Sequence, residues 1–374
     1  MHGNGVKRKK NITCTPVAFA ADDSFFIRDS GLICRELLSM GVESKCVMPL
    51  PYSEADQKED IIRTTMSNLE SADWWKSLNI DGVVLYSWGR PRYTGVARAV
   101  KKAGLRLVIH MDAAGRFDVL LPEDYSFFKS VCKYIRVSIR NVFRARHLRY
   151  ADVITMAPGA AKSIGKMLFV GDFVSNRNFP MPCPVSSSCY YDGTDKQDVV
   201  VCVGRWDDEQ QKRSRFLMAA LDCYFAAGGT AQVRIFGKLT PELRKWHSSL
   251  PEHSRELVFL GGYIKNSVLH QEFLRARIVL CPSSHESSHI VSAEGLCSGC
   301  SVVVSNRPNP LRCLHWYTTK KSGRISEKDT PESLAQALRS EQKEWDMGNR
   351  NPYSIASEWA PYFHVDKVMS VIFE

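Results

Sequence analysis

The sequence predicts an α/β protein built from two doubly wound parallel-sheet domains. Three observations carry this expectation. Short apolar runs of strand length alternate with helical patterns along most of the chain, which implies parallel strands covered by helices. The pattern breaks once, in a stretch rich in proline and serine, and then restarts. The length of 374 residues suits two domains of ordinary size better than one.

The elements follow in order. Residues 1–14 are basic and lack the apolar stretch and small-residue cleavage site of a signal peptide, so a disordered start is expected. An apolar segment over 15–21 and a polar loop over 22–30 come next. Asp29 or Ser30 can cap a helix with Leu32, Ile33, Leu37 and Leu38 on one face, closed by Gly41. Strands are expected at 45–48, 82–86, 105–110 and 152–156, with helices over 94–103, 126–149 and 158–167. Residues 171–197 contain Pro180, Pro182, Pro184 and a run of serines with little periodicity, as an interdomain linker would. Strands then recur at 199–203, 232–236, 256–260, 276–281 and from Val302. Phe216, Leu217, Ala220, Leu221, Tyr224 and Phe225 mark one helix, and Val268, Leu269, Phe273 and Leu274 another. A further helix is expected over 288–298, one capped by Thr330 with Pro331 at its first position, and a final amphipathic one from Pro352. The expected division is a first domain over 1–175, a linker over 176–197, a second domain over 198–350 and a terminal helix over 351–374.

Composition narrows the function. With 44% hydrophobic and 24% charged residues the chain is of globular type, and no apolar run approaches the ~20 residues that span a bilayer. Twelve cysteines without small-scaffold spacing point to reduced thiols and a cytoplasmic setting. The net charge of +10 favours an anionic partner, whereas nothing matches a nucleic-acid-binding motif. The basic stretch 126–149 interleaves Lys129, Lys133, Arg136, Arg140 and Arg144 with Phe127, Phe128, Val131, Ile135, Ile139 and Phe143. It reads either as a helix that touches an anionic membrane peripherally or as a covering helix with snorkelling basic side chains.

Open parallel sheets bind ligands beyond the carboxyl ends of their strands. The chemistry-bearing residues fall there. Gly204-Arg205 ends one strand and Lys212 follows, so an arginine fork and a lysine charge can hold a diphosphate near a helix start; a solvated mixed-charge loop is the alternative. Glu286 and Glu294 are separated by seven residues in a strand–loop–helix unit. If the helix starts near Ser288, Glu294 lies roughly 9 Å along it, so the two carboxylates can accept from hydroxyls at different places. The N–H groups of Ser287, Ser288 and His289 would be free at that helix start to bind phosphate or sugar oxygens. His285-Glu286-Ser287-Ser288-His289 also matches H-E-x-x-H, but a strand and Pro282-Ser283-Ser284 precede it, so the helix that a zinc protease needs is not expected there. Cys297 and Cys300 form a lone C-x-x-C and read as buried thiols. His110 ends a strand in the first half, which raises its interest above that of an average histidine.

In VVVCVGRWDDEQQKR, VFLGGYI and ARIVLCPSSHESSHIVSAEGLCSGCSVVVS, taken in that order, the second half resembles the donor-binding domain of retaining glycosyltransferases of the GT-B fold, family 4 (group 1). The E-x7-E spacing of Glu286 and Glu294 is that family's signature. The resemblance covers roughly residues 199–340; the first half agrees in its strand–helix order and in His110. It implies two Rossmann-like domains facing across a cleft, with the terminal helix crossing back to the first. It implies a nucleotide-diphosphate sugar as donor, transfer to a glycan, lipid-linked or other hydroxyl, and no metal or further cofactor. Arg205 and Lys212 would hold the diphosphate with Gly204 beside them, Glu294 the ribose, and Tyr263 would lie by the base. Glu286 would contact the donor sugar together with the backbone at Ser288 and His289, and His110 would approach the sugar near the reacting carbon. Two other functions remain open: a sugar-nucleotide epimerase of the same architecture, and a non-catalytic binding member.

Overall fold

The computed structural model describes residues 10–17, 23–26, 29–53, 56, 61–87, 93–111, 126–156, 178–180, 184–286, 288–307 and 313–366. The chain divides into two compact units, residues 1–184 with 365–374, and residues 185–364.

Unit 1 is built on strands β1 (Lys10–Cys14), β2 (Glu43–Pro49), β3 (Ile61–Thr64), β4 (Gly82–Ser87), β5 (Arg106–Met111), β6 (Val153–Met156) and β7 (Asn178–Pro180). They form a parallel sheet in the order β3-β2-β1-β4-β5-β6-β7. β4 is buried along its whole length, as a strand covered on both faces must be. Helices α1 (Asp29–Ser39) and α2 (Tyr93–Lys102) pack on the sheet, and α3 (Phe127–Ala145) packs against the turn Arg146–Tyr150 that follows it.

Three expectations change here. The start is not disordered throughout: Lys10–Cys14 is a strand between β2 and β4. Its side chains are Lys10, Asn11, Ile12, Thr13 and Cys14, so it shows no apolar run although Asn11 and Thr13 are buried. The basic helix ends at Ala145 and a 3-10 turn, Arg146–Tyr150, completes the stretch. The segment read as linker begins with a strand, β7, paired to β6. The helix expected over 158–167 lies outside the described residues.

Unit 2 contains β8 (Gln197–Arg205), β9 (Gln232–Lys238), β10 (Val258–Gly262), β11 (Ala276–Cys281), β12 (Ser301–Val304) and β13 (Gly323–Ile325). The order is β10-β9-β8-β11-β12-β13, again parallel. The sequence direction across the sheet therefore reverses between β8 and β11. That reversal is the switch point where doubly wound sheets open a crevice at their carboxyl ends.

The helices of unit 2 include α4 (Ser214–Ala226), α5 (Asn266–Arg275), α6 (Ile290–Cys297), α7 (Pro331–Asp346) and α8 (Pro352–Phe363). α4 buries Leu217, Met218, Ala220, Leu221, Tyr224 and Phe225, close to the face read from the sequence. Thr330 caps α7 by accepting from the Ser333 N–H, with Pro331 at the first turn where its missing N–H costs nothing. Glu256 and Leu257 close a short helix, so β10 starts later than expected. α8 lies in unit 2 against α6 and buries Ile355, Trp359 and Phe363 among Trp316 and Tyr317. Residues 367–374, expected to continue it, lie outside the described residues. Gly299 makes this packing possible: it adopts φ +79, and a Cβ there would come within 2.8 Å of Pro352 Cβ and 2.9 Å of its carbonyl oxygen.

Candidate functional site

The loops that follow β8 and β11 flank the switch point of unit 2. Their backbones are joined. Ser284 donates its N–H to the Gln211 carbonyl (2.8 Å) and its hydroxyl to the Gln210 carbonyl (2.7 Å). Trp206, directly after β8, is buried and donates its indole N–H to the Phe236 carbonyl, which fixes the base of the loop. Gly237, at φ +104, lets β9 approach this point; a Cβ there would lie 2.1 Å from the Gly204 carbonyl oxygen. A single helical turn, Glu209–Lys212, is capped by Asp208 and carries the next functional side chains.

Glu286 is the centre of this arrangement. Its carboxylate accepts from Lys212 Nζ at 2.5 Å and from Gln211 Nε2 at 2.9 Å, and His289 Nε2 lies 3.9 Å away. Both Glu286 and Lys212 are largely buried, at 6% and 12% side-chain exposure. Burial pushes the Glu286 carboxyl up, but Lys212 and the neighbouring donors outweigh it and hold the group below the usual carboxylate range. Arg205 stands at the mouth. Its side chain is 64% exposed and its guanidinium donates to Asp208 and Gln211, each at 3.3 Å. Gln211 thus touches both Arg205 and Glu286.

The approach to α6 differs in part from the sequence expectation. The helix begins at Ile290, and His289 is its cap, with Nδ1 accepting from the Ser292 N–H at 3.2 Å and contacting Ser292 Oγ at 2.6 Å. Burial lowers the His289 pKa to about 4, so the imidazole is neutral at physiological pH. The His289 N–H, expected to be free for a ligand, donates to Tyr317 Oη at 3.1 Å. Ser288 Oγ, by contrast, is buried without a hydrogen-bond partner among the described residues. Both histidines of the H-E-x-x-H match precede the helix, so they do not project from one helical face. His285 instead contacts Ser284 Oγ through Nδ1.

Glu294 lies within α6 and faces elsewhere. Its Oε1 is 3.5 Å from His270 Nε2 on α5, and both side chains are buried. Tyr263 follows β10 and is 75% exposed. In unit 1, His110 is buried at the end of β5, stacks on Tyr86 and contacts Thr155 Oγ1 through Nδ1 at 2.7 Å. Burial lowers its pKa to about 4, which keeps it neutral. The structure therefore joins Arg205, Lys212, Glu286 and His289 in one network through Gln211, and Ser288 precedes His289 in the same loop. It sets Glu294 and Tyr263 apart from that network, and His110 belongs to the other unit.

Two residues of the site were not singled out by the sequence. Gln211 bridges the two loops, which depends on the fold rather than on spacing. Arg213 adopts the left-handed conformation (φ 57) between the helical turn and α4. Its buried guanidinium grips Asp329 at 2.7 and 3.2 Å and reaches the Pro282 carbonyl and Ser305 Oγ, so it holds together the ends of β11 and β12. A basic residue after Lys212 was visible, but its role depends on partners more than 60 residues away.

Residues 197–341 match the family model described as glycosyl transferases, group 1. No curated protein matches the chain in sequence. Among solved structures, HepE from Anabaena in complex with UDP superposes with a TM-score of 0.64 at 13% identity, over 97% of this chain and 98% of that one. A lipopolysaccharide outer core galactosyltransferase gives 0.61 at 15% identity, over 97% and 99%. A UDP-N-acetylglucosamine 2-epimerase, so named as putative, from Listeria monocytogenes gives 0.58 at 12% identity, over 98% and 96%. At these identities the likeness establishes the fold: two Rossmann-like units of the GT-B class.

Proposed function

We propose that this protein is a retaining glycosyltransferase that moves a sugar from a nucleotide-diphosphate donor to a hydroxyl acceptor, without a metal ion at the donor. The observation that carries the reading is the buried Glu286–Lys212–Gln211 network with Arg205 at its mouth, at the switch point of a segment matching the group 1 glycosyltransferase model. Arg205 and Lys212 supply positive charge for the diphosphate as it leaves, a task that needs preorganised cations rather than a nucleophile. Lys212 is already fixed by Glu286, so it spends little side-chain entropy when a phosphate arrives. Glu286 stays ionised in this setting and can accept from donor-sugar hydroxyls. Ser288 Oγ, in the same loop, offers one more group without a partner among the described residues. Glu294 would serve the ribose, Tyr263 the base, and neutral His110 the sugar near the reacting carbon. The acceptor hydroxyl attacks from the face the leaving group departs, and the departing phosphate takes its proton.

A panel of nucleotide sugars with acceptor sets tests this, starting with uridine diphosphate sugars because HepE is seen with UDP and UDP-glucose. The expected result is acceptor-dependent nucleotide release with retained anomeric configuration. Interconversion of the sugar nucleotide without acceptor would favour the epimerase reading. No turnover with any pair, despite donor binding, would favour a binding role.

The acceptor side has its own observation. On α3, Phe127, Phe128, Val131, Ile135 and Ile139 are exposed and fall within an arc of about 120° at 3.6 residues per turn. Exposed Lys129, Arg136 and Arg140 occupy the adjoining arc, and the helix has no acidic residue. Phe127 and Phe128 are 86% and 76% exposed, which a simple covering helix would avoid. Apolar insertion flanked by basic charge fits the surface of an anionic bilayer. We take peripheral contact with such a membrane as part of the proposal. Vesicles containing anionic lipid should sediment the protein at low salt, and Phe127→Ser with Phe128→Ser should abolish it. Equal sedimentation of the double variant would remove α3 from the proposal.

A further inference from the structure

We infer that Cys189, His270 and Glu294 form a binding site for one zinc-like divalent ion within unit 2. The three come from separate elements: the 3-10 turn Ser187–Cys189, α5 and α6. All three are buried, and one ligating atom of each lies within 4.8 Å of the others. His270 Nε2 and Glu294 Oε1 are 3.5 Å apart, close to the spacing of two ligands around a tetrahedral ion at metal–ligand distances of about 2.0–2.1 Å.

Two further observations point to a cation. His270 Nε2 is buried and makes no hydrogen bond among the described residues, while Nδ1 sits 2.6 Å from Ser188 Oγ. That is how a ligating imidazole is usually held: one nitrogen bonded to an outer oxygen, the other presenting its lone pair. Glu294 is 7% exposed, yet among the described residues no lysine or arginine pairs with it. The nearby Lys196 is committed to the Phe273 and Ser298 carbonyls and to Cys300 Sγ. A buried carboxylate without a cation is costly. A divalent ion bound by one thiolate, one carboxylate and one neutral imidazole makes a site with no net charge. Mixed sulfur, nitrogen and oxygen ligands suit zinc.

Binding displaces the Cys189 thiol proton to solvent and breaks no other bond. The fourth position is left to water. The site would pin the segment entering unit 2 to α5 and α6. It differs from the H-E-x-x-H match, shares none of its residues, and does not rest on glycosyl transfer. It does share Glu294, so an occupied site leaves that residue one carboxylate oxygen for a ribose.

The test uses the full chain, produced without a metal-binding tag in zinc-supplemented medium and measured for metal after gel filtration. About one zinc per chain is expected, with loss in both Cys189→Ser and His270→Gln. Because those variants could fail to fold, the wild-type chain is also stripped with chelator and titrated with Co2+. A thiolate-to-cobalt charge-transfer band should grow to a stoichiometric endpoint and be reversed by zinc, and zinc should raise the melting temperature of the stripped protein. Substoichiometric zinc together with no cobalt band would overturn the inference, and would leave the transfer assay unaffected. A cobalt band that persists in a folded Cys189→Ser variant would overturn it equally.

Discussion

The surroundings of Glu286 and Glu294 are opposites, although the two residues share a spacing motif and are buried to 6% and 7%. Glu286 is saturated: a lysine, a glutamine amide and a neutral histidine surround it. Glu294 has a single polar contact among the described residues, a long one to an imidazole nitrogen that itself makes no hydrogen bond. The spacing motif treats the two carboxylates alike; their neighbours do not. Under the proposed function Glu286 would share its paired lysine with a phosphate. Glu294, which has no such partner among the described residues, would take a hydroxyl pair or, under the further inference, a cation.

The strongest way to break this contrast is to take charge from the Glu286 pair. Glu286→Gln keeps the shape and leaves Lys212 beside an amide; transfer should fall on the order of 100-fold or more, as for loss of a preorganised electrostatic group. Lys212→Met leaves a buried carboxylate without its cation and should cost about 3–5 kcal/mol in stability. The double variant should recover most of that stability, because removing both charges of a buried pair is often near neutral. It should recover none of the transfer. Thermal melts with single-turnover assays decide it. If the double variant is active, the pair is architectural and the site lies elsewhere.

Much of this was legible because local spacing encodes it. Strand runs such as Val199–Cys202 and the Gly204-Arg205, Lys212 and Glu286 positions all belong to short stretches at the carboxyl ends of strands. What escaped depends on distant partners. β1 hides because its buried side chains include Asn11 and Thr13, which an apolar count ignores. The start of α6 was set two residues early because a histidine, rather than a serine, caps it. Arg213 and Gln211 acquire meaning only from residues that the fold delivers. His270 and Cys189, from different elements, have no common pattern in sequence.

A smaller effect sharpens the comparison by pH. His289 sits beside Glu286, with Lys212, His285 and Cys281 as the other titratable groups around the pair. Burial lowers the His289 pKa to about 4, below the 6.5 of an exposed histidine. Between those values the unfolded chain binds a proton that the folded chain refuses, so stability is full above about pH 6.5 and is lost as pH falls toward 4. From pH 7 to 5 the loss from this group is roughly 2 kcal/mol. Protonation would also remove the lone pair that caps α6. His110 and His147, each lowered to about 4 by burial, add the same sign in unit 1. His289→Asn isolates the unit 2 share, because asparagine caps a helix well and does not titrate. Thermal unfolding at pH 7 and 5 should show a smaller acid-induced drop in that variant than in the parent. An unchanged drop would mean that His289 takes up its proton equally in the folded and unfolded chain, so that burial does not depress it; a larger drop would mean that it is already protonated in the fold and gives Glu286 a second positive charge.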